Sequence, residues 1–317
     1  MKKITTLLAL LFVFNWATAQ IEVAEPAQPA LASEEKPQAS LAPTADENSL
    51  LWEISGKDLE TPSYLYGTIH MIGKEDFFLT DMTKETFGKT EQVAFEIDMN
   101  KMNDMSVMFS LIGQVMMKDG IGLKDLLNEE DYNLVNEHFT EMGLPMFLFE
   151  KVKPMFLASM ASGDMSAGGD MTSGDIVSYE MEFMEMAKEQ EKEVDGLETI
   201  EYQMSVFDSI PYEDQAKMLV ESIGSELIGD SQFDEMVEMY KKQDLSGMQD
   251  MFAADEEGIG KYEDIFLKNR NENWIPVMEK MMASKPTFFA VGAGHLGGSV
   301  GVIALLRKTG YTVKPLY

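Results

Sequence analysis

The chain has 317 residues, of which 45% are hydrophobic and 10% aromatic, so it is long enough for one large folded domain or two smaller ones. It contains 25 basic and 55 acidic side chains, a formal net charge of −30. Because phosphate groups are bound by clustered lysine and arginine, this charge argues against nucleic acid and anionic membrane surfaces as main partners. The chain has no cysteine, which excludes disulfides, thiolate metal sites and cysteine nucleophiles.

The first residues have the pattern of a secretory signal peptide. A short basic start, Met1–Lys3, precedes an apolar run to Trp16 and the small-residue cleavage pattern Ala17-Thr18-Ala19. The apolar run is shorter than the roughly 20 residues that a membrane-spanning helix needs, although an uncleaved anchor is the alternative interpretation. We therefore expect cleavage after Ala19, no transmembrane segment in the mature chain, and a periplasmic or secreted location.

Residues 20–48 have a different composition from the rest of the chain. They are rich in Ala, Pro, Glu and Ser and contain no aromatic residue. Such a segment buries too little apolar surface to offset the entropy of ordering. The sequence thus predicts a disordered linker over 20–48 and a folded domain over 49–317.

Strand patterns occur at both ends of this domain, with helical patterns between them. Short aromatic or β-branched runs predict strands over 50–55, 63–70, 92–97, 193–197, 287–291 and 311–315. Helical spacing of apolar residues dominates 101–191 and 201–283, and a further helix is predicted over 298–308. We expect an α/β (α+β) fold class with one central mixed sheet, built from both ends of the domain and covered by helices from its middle region. The order of the strands does not follow from these patterns.

Two of the three histidines share one local setting, an apolar strand that runs into Gly-x-x-His. The motifs are Gly67-Thr68-Ile69-His70 and Gly292-Ala293-Gly294-His295. A glycine at the end of a strand permits a sharp turn or a close approach, and the histidine is then presented at the edge of the sheet. If the two strands are neighbours, both imidazoles come together; the alternative is that each histidine only caps its turn. The third, His138, lies in a polar helical stretch, which favours a surface or helix-end position.

Glu96 is an acid inside the apolar strand pattern Val93–Ile97. A carboxylate on a buried strand is costly unless it is paired, hydrogen-bonded or bound to a metal. Two imidazoles and a carboxylate with an open position suit a catalytic divalent ion. The alternative is a paired carboxylate at a strand end, with no metal.

Two other features have simple interpretations. The Gly- and Asp-rich segment 163–175 does not have the spacing of an EF-hand, and we expect a flexible loop or lid there. The 27 methionines are spread at helical spacing, which favours core packing over a thioether metal site.

Several segments, taken in order, resemble the TraB/GumN family, which also contains the Tiki-type membrane metalloproteases. The matching segments are LWEISG (51–56), YLYGTIHMI (64–72), VAFEIDM (93–99), VDGLETIEYQ (194–203), RNENW (270–274) and FAVGAGHLGGSVGVIALLRKTGYTV (289–313). Together they span essentially the whole domain. The resemblance implies a single α/β domain with a divalent-metal site formed by the two Gly-x-x-His motifs and the strand acid.

Residue by residue, the resemblance implies that His70, Glu96 and His295 bind the metal, expected to be Mn, Co or Zn. Glu96 would serve as ligand or as general base. Arg270, from the family's Arg-Asn motif, would hold a substrate carboxylate or stabilise an oxyanion, unless it only forms a salt bridge on a helix surface. Glu198 also matches a family position, with capping of the following helix as its alternative role.

The sequence therefore predicts an exported metal-dependent hydrolase, peptidase-like, whose substrate is a peptide or a small amide or ester. The alternative is a non-catalytic protein that binds or sequesters a peptide on the same fold. The Tiki-type relatives are tethered to membranes, whereas this chain has the signature of a cleaved product, so a shared substrate does not follow.

Overall fold

The computed structural model describes residues 41–103, 105–161, 176–228, 231–254 and 259–317. The predicted signal peptide, most of the predicted linker and the predicted loop over 163–175 lie outside these residues. The last part of the linker segment contacts the domain: Arg307 Nη2 donates to Glu47 Oε1 at 2.7 Å, and the Tyr317 hydroxyl donates to the Asp46 carbonyl at 2.9 Å.

Each of the six strands that the apolar patterns predict is present among the described residues. The strands are β1 (Leu51–Ser55), β2 (Ser63–Thr68), β3 (Met71–Gly73), β4 (Gln92–Ile97), β5 (Ile176–Ser178), β6 (Glu193–Glu198), β7 (Thr287–Gly292) and β8 (Thr312–Leu316). The helices of the described residues are α1 (Asp81–Gly88), α2 (Met105–Val115), α3 (Leu123–Leu126), α4 (Glu129–Glu141), α5 (Pro154–Ala161), α6 (Tyr179–Glu189), α7 (Ile200–Val206), α8 (Tyr212–Ile228), α9 (Ser231–Lys241), α10 (Leu245–Ala254), α11 (Asn269–Ser284) and α12 (Val302–Lys308).

Six of these strands form one mixed sheet in the order β6-β4-β7-β2-β1-β8. β1 pairs antiparallel with β2 and β8, whereas β2–β7, β7–β4 and β4–β6 are parallel pairs. Parallel partners need long crossover connections, and the helices between the strands supply them. The predicted central mixed sheet, built from both ends of the domain, is confirmed.

The sheet lies in the larger of the hydrophobic cores. β2 and β7 are almost wholly buried because both of their faces are covered, which explains their continuous apolar runs. Side chains from α6, α11 and α12 belong to the same core, among them Phe183, Trp274 and Leu306.

A second core is helical and separate from the sheet. Its buried residues come from the middle of the chain, among them Leu123, Phe139, Leu157 and Leu219. A small third cluster, built on Met155, Ile210 and Met218, accompanies it. Of the described residues, no helix combines the length and apolar character needed to cross a membrane.

Two details differ from the sequence prediction. The helix predicted over 298–308 begins only at Val302, since the residues before it form turns and Gly298 has a φ of 74°. A separate two-stranded sheet, β3 with β5, was not predicted, because strands of three residues are too short to show a period.

Candidate active site

The two Gly-x-x-His motifs end neighbouring parallel strands. Thr68 of β2 is paired with Gly292 of β7, so both turns leave the sheet at the same edge. Gly67 permits a close approach here, because a Cβ atom on it would lie 3.1 Å from the Ala293 Cα and 3.0 Å from the Leu296 side chain. The two strands are therefore neighbours, an arrangement that the sequence left open.

His295 is buried, and its ring lies against that of Trp274, with the centroids 4.4 Å apart and the planes inclined by 40°. Its Nδ1 lies 2.6 Å from the Asn271 Oδ1. The amide nitrogen of Asn271 donates to the Val300 carbonyl at 3.0 Å, which fixes the amide so that its oxygen faces the ring. Nδ1 therefore has the hydrogen, and Nε2 is the ring nitrogen with the lone pair.

Glu96, near the end of β4, is bound through both carboxylate oxygens. Oε1 accepts from the Gly292 amide at 2.9 Å and lies 3.7 Å from the Nε2 of His295. Oε2 accepts from Arg270 Nη2 at 2.5 Å and from Gln203 Nε2 at 3.1 Å. The strand acid is thus held beside the imidazole of the second motif.

Arg270, in the first turn of α11, is buried between two carboxylates. Nη2 bridges Glu96 and Glu198, with the Glu198 Oε1 at 2.7 Å, and Nε also donates to Glu198 at 3.0 Å. Nη1 donates to the Phe266 carbonyl and lies 3.2 Å from His295 Nε2. The alternative prediction for Arg270, a salt bridge on a helix surface, is therefore wrong, because Arg270 and its two carboxylate partners are buried.

Glu198 ends β6 and joins the same network. Trp274 Nε1 donates to its Oε2 at 2.8 Å, in addition to the bonds from Arg270. The following helix is capped by the Thr199 hydroxyl, which accepts from the Tyr202 amide at 3.1 Å. The alternative capping role for Glu198 is thus taken by its neighbour.

Burial and the close charges shift the acidities of this network. Burial alone would raise the pKa of Glu96, but His295, Arg270 and the Gly292 amide hold the pKa of that carboxyl well below its usual range. Burial lowers the pKa of His295 to about 3, opposed by Glu96 and aided by Arg270. At neutral pH, Glu96 is ionised and His295 is a neutral imidazole.

His70 lies at the mouth of this network. Its side chain is 59% exposed, and its Nδ1 lies 3.2 Å from the Glu180 Oε1. Its ring nevertheless lies near enough to Glu96 and His295 for an electrostatic interaction with both. Within the described ranges, no three His, Asp or Glu side chains are grouped closely enough to hold a metal ion as they stand.

The third histidine lies outside this network, and three residues that contact the site were not predicted. His138 lies on α4, in the helical part of the chain. Asn271, Gln203 and Glu180 contact the predicted site residues but were not predicted. The adjacency of Asn271 to Arg270 was an available signal, whereas an acid such as Glu180 at the start of an acid-rich helix looks like part of a solvated face.

A profile of the TraB/PrgY/gumN family matches residues 50–315. The chain belongs to this family. Zebrafish metalloprotease TIKI1 is 22% identical over 86% of the chain, human metalloprotease TIKI1 23% over 88%, and zebrafish metalloprotease TIKI2 21% over 85%. The alignments span 64%, 63% and 61% of those relatives' own lengths, so the chain corresponds to under two thirds of each. No solved structure matches the chain.

Proposed function

We propose that the chain is a divalent-metal-dependent hydrolase, peptidase-like, with His70, Glu96 and His295 as the metal ligands and Arg270 as an electrostatic catalyst. The substrate would be a peptide or a small amide or ester. The signal-peptide pattern of residues 1–19 supports export to a periplasm or to the exterior. The main support is that the two motif strands end at the same edge of the sheet and that Glu96 lies beside His295. The similarity to proteins named metalloproteases agrees with it.

The donor set fits a divalent ion by its charge. Three mostly buried carboxyl groups, Glu96, Glu198 and Glu180, surround the site, with side chains 12%, 4% and 15% exposed. Arg270 is the permanent cation that pairs with two of them. Acidic groups buried without equal compensation are costly, and a bound cation would remove that cost.

The donor set also fits by its tautomers. Each of the two histidines has an oxygen acceptor at Nδ1, Asn271 for His295 and Glu180 for His70. Metal-binding histidines commonly donate their second ring nitrogen to such an oxygen, which leaves Nε2 as the ligand atom. In Glu96, two donors already occupy Oε2, so Oε1 is the oxygen that faces His295.

A bound divalent ion would polarise the scissile carbonyl and lower the pKa of a water molecule. The chain's own residues would orient these partners. Gln203, Arg270 and the Gly292 amide hold Glu96 in place. If His295 Nε2 were a ligand, Arg270 Nη1 would keep its bond to the Phe266 carbonyl, and its second hydrogen would be available to the substrate carbonyl oxygen as negative charge develops. Hydrolysis adds one water across the bond, and the proton released by that water passes to the leaving nitrogen or oxygen.

The first test is to purify the protein without chelators or metal-affinity resin and to measure bound metal by mass spectrometry. We expect near-stoichiometric Mn, Co or Zn, lost in His295→Ala and His70→Ala. His138→Ala is the matched control, because it removes the histidine that lies on α4, and it should retain the metal. Circular dichroism would verify that each variant is folded.

The second test measures turnover on peptide libraries with the metal-loaded protein. Glu96→Gln, which keeps the shape of the side chain, should abolish cleavage. A protein that binds no metal after Mn, Co or Zn is added would contradict the proposed hydrolase. Peptide binding without cleavage would instead support the alternative, a non-catalytic peptide-binding protein.

A further inference from the structure

The small sheet of β3 and β5 joins the first histidine motif to the start of α6. The two strands are antiparallel, with Met71 opposite Ser178. His70 immediately precedes Met71, and Glu180 lies two residues after Ser178. The register therefore brings the first turn of α6 alongside the Gly-x-x-His turn, although more than 100 residues separate the two along the chain.

Two hydroxyl groups, as well as the imidazole of His70, contact the carboxylate of Glu180. The Thr68 hydroxyl donates to its Oε1 at 2.8 Å, and the Ser178 hydroxyl donates to its Oε2 at 3.2 Å. Thr68 belongs to the histidine motif itself, and Ser178 also caps α6. The carboxylate is thus fixed from both sides, and Oε1 lies 3.2 Å from the His70 Nδ1.

We propose that Glu180 is a positioning residue that holds His70 in the tautomer with hydrogen on Nδ1 and so presents Nε2 to the site. A carboxylate accepts and has no hydrogen to donate, so Nδ1 must be the donor. His70 is 59% exposed, and the fixed carboxylate adds a constraint on the orientation of its ring. Asn271 does the same for the buried His295 with an amide oxygen.

A purely structural role for Glu180 has a different signature. An acid in the first turn of a helix stabilises that helix through its dipole, whatever lies beside it. Such a role would leave the hydrogen of His70 where an unconstrained neutral histidine favours it, on Nε2. The position of the hydrogen therefore separates the two roles. The importance of this tautomer for metal binding rests on the function proposed above, whereas the tautomer itself does not.

The experiment is nitrogen NMR of the metal-free protein labelled with 15N-histidine. The sequence has three histidines, so the spectrum contains few rings, and His70→Ala assigns the signal. At about pH 8.5, well above the usual histidine pKa of about 6.5, we expect His70 with hydrogen on Nδ1. Glu180→Ala should move it to Nε2, while Glu180→Gln, which keeps an acceptor oxygen, should retain it on Nδ1. Glu185→Ala, an exposed acid on the same helix, is the matched control.

Hydrogen on Nε2 in the parent protein, or on Nδ1 in a folded Glu180→Ala variant, would overturn the proposal. A second readout is the affinity for added Mn, Co or Zn, measured by calorimetry. We expect Glu180→Ala to weaken it by about 10–100-fold, the usual effect of losing an orienting partner. Unchanged affinity would overturn the positioning role. A parent protein that binds no metal would instead contradict the proposed function, with the tautomer result still decided by NMR.

Discussion

Arg270 shows how much one side chain can depend on its surroundings. Its guanidinium is 8% exposed and donates to two carboxylates, a backbone carbonyl and an imidazole nitrogen. The planar fork of arginine can bridge Glu96 and Glu198, whereas the point charge of a lysine cannot do so in the same geometry. Each carboxylate is therefore buried at an acceptable cost only while the guanidinium is present.

Replacing Arg270 by methionine should lower the free energy of unfolding by about 3–5 kcal/mol, since it leaves two buried carboxylates without their cation. Arg270→Lys should recover only part of that loss. Urea unfolding followed by circular dichroism measures both. Lys268→Met, which removes the cation of a pair with the exposed Asp264, is the control and should cost less than about 1 kcal/mol. Equal losses at the two positions would contradict this account.

At the scale of elements, the site depends on how closely β2 approaches the turn that follows β7. Gly67 has no side chain at the point where Ala293 and Leu296 cross it, so the two strand ends can lie in direct contact. The Gly67 carbonyl also accepts from the buried Tyr240 hydroxyl at 2.9 Å, which fixes α9 to the same strand end. The first glycine of the motif thus determines the separation of the two turns.

Gly67→Ala should force these elements apart and lower the free energy of unfolding by about 1–3 kcal/mol, the usual effect of overpacking. Because the shift displaces His295 from its partners, metal binding should weaken as well. Gly88→Ala is the matched control: a Cβ there meets nothing within 4 Å, and alanine in a helix should be neutral or slightly stabilising. Thermal unfolding and metal titration of both variants test this. A Gly67→Ala protein with the stability and metal affinity of the parent would contradict the close contact at Gly67.

The strands and the acid of this site could be predicted from the sequence. The contacts between its side chains could not, for physical reasons. The apolar runs before Gly67 and Gly292 predicted two strands with the same ending, and the structure pairs them. Glu96 was marked by its position in an apolar strand. Its pairing with Arg270, 174 positions away, is a long-range contact that no local period encodes. The role of Glu180 could not be predicted because it begins an acid-rich helix, and such acids usually lie on a solvated helix face.

At the scale of the whole molecule, the sheet core and the helical core are separate. A partly buried ion pair joins the residue before α5 to the turn after α7. Lys153, immediately before α5, is 1% exposed and binds the carboxylate of Asp208, which also accepts from Lys118 at 2.9 Å. Burial would raise the pKa of Asp208, but the hydrogen bonds from the two lysines lower it. A lowered folded-state pKa means that the carboxylate stabilises the fold where it is ionised.

The stabilising effect of Asp208 should therefore be complete well above its unfolded pKa of about 3.9 and be lost as the pH falls through the lower folded-state pKa. Asp208→Asn should cost about 1 kcal/mol at pH 7, a modest value because the Asp208 side chain is 34% exposed. The difference from the parent should shrink steadily below about pH 5. Urea midpoints measured across this range test it, with Asp264→Asn as the control. A stability difference between the parent and Asp208→Asn that grows as the pH falls would contradict the lowered pKa of Asp208.

The parallel pairing of β2 with β7 has a consequence for biosynthesis. The Thr287 amide donates to the Ser63 hydroxyl, 224 positions earlier in the chain, so neighbours in the middle of the sheet emerge from the ribosome far apart in time. Until β7 has been made, β4 has no partner on its inner side, and Glu96 lacks both the Gly292 amide and the second imidazole. The proposed site can therefore be completed only late in translation, once β7 and the second Gly-x-x-His motif have been made.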